Sequence, residues 1–148
     1  MPKADLSVIE ETNRTGYPPP HNEPVAGRFY RRLAPALGIK EFGASLVRLE
    51  PGAWSSQRHW HEGEDEMLVM LEGEAVLVED DGRTLLKPGD VASWPRGVRN
   101  GHHLVNESDA ACRFFVVGAG ESLGGAYSDI DMIFTADGQY QRRDGSTF

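Results

Sequence analysis

The chain is poor in several things, and each shortage closes a class of function. It holds one cysteine, Cys112, so a disulfide framework and a cysteine-based zinc knot are both excluded. It has no run of eighteen apolar residues, the minimum for a membrane-spanning helix. It is short of positive charge: 15 Lys and Arg stand against 23 Asp and Glu, a net charge of −8, whereas phosphate backbones call for clustered Lys and Arg. The first residues, MPKADLSVIEETNRTG, lack the basic stretch followed by an apolar stretch of a signal peptide. No amphipathic pattern lasts three helical turns; RFYRRLAPALGIK has room for one turn before Pro35 interrupts it. These shortages predict a soluble, single-domain protein of the reducing cytoplasm whose partner is a small molecule, with no nucleic acid and no membrane. Cys112, beside RFFVV, is expected to be a buried thiol.

What the chain has in plenty is turn punctuation, with 17 Gly and 9 Pro. EPG at 50–52, EGE at 72–74, DDG at 80–82, KPGD at 87–90 and PRG at 95–97 mark turns. Between them lie short apolar or alternating segments: FGASLVRLE, EMLVML, EAVLVE, RTLL, DVASW, HHLVN and CRFFVV. Strands spaced near ten residues apart predict an all-β fold, an antiparallel barrel or sandwich. Residues 1–40 carry YPPPHNEP and read as an extended N-terminal arm, 41–120 as the barrel core, and 121–148 as a C-terminal turn and hairpin. In that last segment Asp137-Gly138 predicts a two-residue hairpin turn.

The chemistry concentrates in RHWHEGEDEMLVMLEGE, residues 58–74. On an extended segment side chains alternate, so His59 and His61 share a face while Arg58 and Trp60 take the other. On the next strand Glu66, Leu68 and Met70 share a face, so two imidazoles and a carboxylate can meet inside a barrel. The acids Glu62, Glu64 and Asp65 read as a solvated loop. Further on, GHHLVN offers His102 and His103, of which alternation turns only one inward. With His102 inward, Leu104 joins it, and His103 and Val105 face out.

Residues 52–73 and 89–106 resemble the two motifs of the cupin superfamily. The first runs from Gly52 through His59, His61 and Glu66 to Gly73, and the second from Gly89 through Pro95 and Gly97 to His102 and Asn106. The sequence departs from the pattern twice. One extra residue separates Gly52 from His59, and Asn100 stands where the second motif has its histidine, with Gly101 the expected place of a bulge or widened turn. SSQRHWHEGEDEMLVMLEGE, NGHHLVN and YSDIDM are similar to a group of small bacterial cupins, some labelled sugar-phosphate isomerases by homology alone. The resemblance implies a double-stranded β-helix, or jelly-roll, barrel. It also implies one divalent metal ion per chain (Fe, Mn, Ni, Co or Zn) on His59, His61, Glu66 and His102, and a homodimer formed through edge strands.

Four protein ligands leave an octahedral ion two open positions, enough for Lewis-acid or oxygen chemistry. The reaction implied is that of an isomerase, lyase or oxygenase on a sugar or organic acid. The alternatives are a metal-loaded binding or sensing module without chemistry, and a structural or storage barrel. Gln57, Met70 and Trp94 are the candidates for a substrate-pocket wall, each weighed against a plainer place: strand start in solvent for Gln57, core for the other two. Arg58, Arg96 and Arg99 are candidates for an anionic group, although Arg58 has outward parity. Asp129 and Asp131 read as turn or interface residues.

Overall fold

The computed structural model describes residues 3–148. Every segment between the turn signals is extended and paired, because β-branched and aromatic residues alternate there while glycine and proline end each run. The strands are β1 (Arg28–Arg32), β2 (Gly43–Leu49), β3 (His59–His61), β4 (Glu64–Glu72), β5 (Ala75–Glu79), β6 (Gly82–Leu86), β7 (Val91–Trp94), β8 (His103–Val105), β9 (Cys112–Gly120), β10 (Gly125–Tyr127), β11 (Ile133–Phe134) and β12 (Tyr140–Gln141). A one-turn helix, α1 (Leu33–Ala36), carries Pro35. No helix is long and apolar enough to cross a membrane.

All strand pairs are antiparallel. One layer is a five-stranded sheet in the order β1-β2-β9-β4-β7. The other is made of two smaller sheets, β12-β11-β10-β3 and β6-β5-β8, joined by single bridges from His59 to His102 and from Trp54 to Val105. The jelly-roll core lies between the layers. Leu49, Met70 and Leu104 are fully buried there, packed with Leu68, Leu77 and Phe114. Each such side chain contributes about 1.5–3 kcal/mol by leaving water. The alternation on β4 is as expected, with Leu68 and Met70 inside and Met67 and Leu71 exposed.

Two elements differ from expectation. The large sheet begins inside the segment assigned to the arm, since β1 pairs with β2 over five residues from Arg28 to Arg32. Its inward side chains are Arg28, Tyr30 and Arg32, so the strand carries no apolar alternation to read. Parts of residues 3–27 also pack: Thr12 bridges to Tyr30, Val25 is buried, and the Tyr17 ring lies 5.6 Å from Tyr127 and 5.3 Å from Tyr140. The second difference is the C-terminal hairpin, whose turn is one residue longer than the Asp-Gly pair predicts. Thr135 N–H donates to Gln139 O and Gly138 N–H to Thr135 O, with Gly138 at φ 79°, the left-handed conformation that closes a three-residue loop.

Candidate metal centre

Three imidazoles and a carboxylate meet where the two layers face each other. The i, i+2 spacing on β3 turns His59 and His61 to the interior. His102 lies beside His59 because the two exchange backbone hydrogen bonds, at 3.2 and 2.9 Å. Glu66 reaches them from β4 in the opposite layer, where the ladder sets it between Trp94 and Gly118. His59 Nε2 is 3.1 Å from His61 Nε2, and His61 Nε2 is 3.1 Å from Glu66 Oε2. Donor atoms of this trio all lie within 4.8 Å of one another. His102 completes the group through Glu66, its Nε2 being 3.4 Å from Oε2.

The outer nitrogens assign the tautomers. His59 Nδ1 faces Gln57 O at 2.9 Å, His102 Nδ1 faces Asn100 O at 3.4 Å, and His61 Nδ1 lies 3.0 Å from Glu64 Oε2. The carbonyls facing His59 and His102 only accept, so those ring protons belong on Nδ1 and their Nε2 lone pairs point inward, while the His61 Nδ1 contact with Glu64 lacks hydrogen-bond geometry. Lone pairs aimed at one another and at a carboxylate repel; a cation between them turns that repulsion into attraction. The donor set and the spacing therefore fit a first-row divalent ion, whose adjacent ligands at about 2.1 Å from the metal stand roughly 3 Å apart. Protons on the cluster relieve the same repulsion. Burial, with His102 nearby, pushes His59 down to about 3, holding it neutral. Burial opposes ionisation of Glu66, but His102 and His61, when their Nε2 atoms carry protons, outweigh it and hold the carboxylate well below its ordinary range, the part a bound cation would take over. Burial likewise opposes charge on His61, yet Glu66 and Glu64 raise its pKa.

Beside the cluster opens a cavity of about 360 Å³, bounded by His59, Glu66 and His102 and by Arg28, Tyr30 and Arg32 from β1. Gln57, Met70 and Trp94 are not on its wall. Residues 55–58 bend instead of extending the strand, and Gln57 is turned away and buried, donating to His21 O at 2.8 Å. Met70 is core. Trp94 stacks on His102 at 3.8 Å and 8°, with its indole N–H held by Glu79, so it fixes the ring from behind. Phe134 flanks both β3 histidines, 5.3 Å from His61 and 6.1 Å from His59, and Tyr127 lies 5.8 Å from His59.

His103, expected outside, is buried: its Nδ1–H donates to Ser56 O at 2.9 Å, and Trp54 covers the ring edge-on at 4.7 Å. Arg58 is tied to Asp80 and Asp129, away from the cavity. Arg99 pairs with Glu62 and lies over Trp60, and Arg96 is exposed. Asp131 accepts from Arg143 N–H, a turn contact. Glycine at 101 has a steric basis, since a Cβ there would collide with Ser128 Oγ. Sequence reasoning missed Arg28, Tyr30 and Arg32; their i, i+2, i+4 spacing in RFYRR was the available signal.

The cupin domain family profile matches residues 45–118. A sugar phosphate isomerase of the cupin superfamily from Silicibacter pomeroyi is 44% identical, covering 99% of this chain and 96% of its own, with a TM-score of 0.92. A predicted oxalate decarboxylase from Thermotoga maritima is 25% identical over 62% of this chain and 79% of its own, with a TM-score of 0.54. The polyketide cyclase RemF from Streptomyces resistomycificus shares the fold at 24% identity, over 80% of this chain and 79% of its own, with a TM-score of 0.64. No curated protein matches the chain.

Proposed function

The chain belongs to the cupin family, and on that premise we propose that it is a metal-dependent enzyme acting on a small polar or anionic substrate. Isomerisation of a sugar phosphate is the first reaction to test, because the 44% identical relative bears that name. One divalent ion per chain, Fe, Mn, Ni, Co or Zn, would be held by His59, His61, Glu66 and His102. When bound, such an ion supplies a Lewis acid that polarises a carbonyl or hydroxyl oxygen. The observation that carries this reading is the convergence of three imidazole Nε2 atoms and a carboxylate beside a cavity of about 360 Å³. That volume is in the range of small-ligand sites. Ser45 offers a polar side chain on the cavity wall to a polyhydroxylated ligand, while Leu68, Phe114 and Val116 form an apolar wall that limits water.

A second reading, a metal-loaded binding or sensing module, has one observation in its favour. Among the described residues Glu66 is the only carboxylate on the cavity wall, and the cluster already uses it. Elemental analysis of untagged protein, with His59→Ala and Glu66→Ala variants, tests both. Close to one ion per chain, falling at least about tenfold in each variant, is expected. No metal after reconstitution with each ion would overturn the proposal. A loaded protein that leaves every sugar phosphate unchanged by NMR would favour the second reading.

A further inference from the structure

Two arginines on β1 have no acidic partner, in a chain whose acids outnumber its Lys and Arg. Among the described residues Arg14, Arg31, Arg48, Arg58, Arg83, Arg99 and Arg113 sit within reach of a carboxylate, while Arg96, Arg142 and Arg143 have none but lie off the cavity wall. Arg28 and Arg32 have none either, and both face the cavity beside the histidine cluster. Arg28 is the more buried of the two. Its Nη1 donates to Ser55 O at 3.0 Å and its Nη2 to Arg14 O at 3.3 Å. These carbonyls fix the guanidinium but leave its charge uncancelled. The Tyr30 ring, 5.2 Å away, is held by the same Arg14 carbonyl through its hydroxyl. The Arg28 Nε–H is buried and has no acceptor. A positioned guanidinium with a buried, unused N–H is a costly arrangement unless something arrives to accept from it.

We infer that Arg28 is the anchor for an oxyanion of the substrate, a carboxylate or a phosphate, received by its guanidinium while the substrate's other end lies at the histidine cluster. Guanidinium geometry suits either group, since both offer paired oxygens. Arg32 stands four residues along the strand, about 13 Å away. It is exposed, so it steers the anion in and does not share the contact. This assignment rests on reading the cavity as the substrate site, but not on the ion being present.

The test is direct observation of arginine Nε–H signals by NMR in ¹⁵N-labelled, zinc-loaded protein titrated with orthophosphate and, separately, with malonate. The Arg28 signal is identified by its loss in Arg28→Lys. A saturable shift of that signal with either anion is expected, and the tighter binder names the oxyanion. Arg28→Gln should raise Kd at least about tenfold, the scale of a hydrogen bond to a charged group. Arg32→Gln should slow association and raise Kd less. An Arg28 signal unmoved by both anions overturns the inference, as does Arg28→Gln binding as tightly as wild type. The shift should persist in Glu66→Ala. Its loss there would mean that the anion binds the cluster itself, and the inference falls. Persistence in a protein that takes no metal would leave this subsite standing while the metal reading fails.

Discussion

Asn106 closes the second motif without joining the cluster, and its task is structural. It is fully buried, donating to Leu49 O at 3.0 Å and Ala110 O at 2.8 Å and accepting from the Ser108 N–H and hydroxyl at 3.0 and 2.7 Å. One side chain thus ties the end of β2 to the loop before β9. Alanine would remove the buried donor to Leu49 O and the acceptor that holds the Ser108 loop. We expect Asn106→Ala to lose roughly 2–4 kcal/mol in urea unfolding. Metal bound per folded chain should be unchanged, and a loss of metal with unchanged stability would contradict the structural role. At this scale the motif spacing made His59, His61, Glu66 and His102 legible, because alternation on a strand fixes which side chains share a face. It failed at Gln57, where the backbone bends and parity ceases to apply. It failed again at His103, since facing away from His102 does not mean facing water when Trp54 lies over the ring.

The strands between glycine turns were legible as elements because short apolar runs rich in Val, Leu and Phe fill β4, β5 and β9 and end at turn residues. β1 was not, because the face it turns inward is Arg28, Tyr30 and Arg32: a functional cavity reverses the usual sense of the pattern. The C-terminal strands show what an element does beyond its own ladder. β10 pairs with β3 along His59–His61, and β11 places Phe134 against both imidazoles. Phe134→Ala should lower stability by roughly 1–3 kcal/mol, as the half-buried ring is lost from beneath Tyr127 and the histidines. It should also weaken retention of the ion about tenfold or more against a chelator, because the rings it braces can then turn. Retention at the wild-type level would show that β3 alone positions them.

The whole molecule leaves an open edge. β7 ends the five-stranded sheet, and on the outer face Val91 is 58% exposed, beside Met67 and Leu71 at 42% and 45% on β4. Unpaired edges with apolar neighbours invite a partner strand, and we propose a homodimer assembled there. Light scattering should read twice the 16.3 kDa chain mass, and Val91→Lys should shift the protein toward monomer. A wild-type reading of 16.3 kDa would dismiss the dimer.

The centre draws His59 and His61 from one layer, Glu66 from the other, and His102 from a stretch far along the chain that reaches them only through a backbone bridge. No single strand contains the set, and it comes together only where the two layers face each other. An ion seated there would act as a rivet between the two layers. Capturing it would be the last event of maturation, and releasing it would be among the first signs that the layers have begun to part. The rate at which a colorimetric chelator strips the ion would then be a clock for global opening.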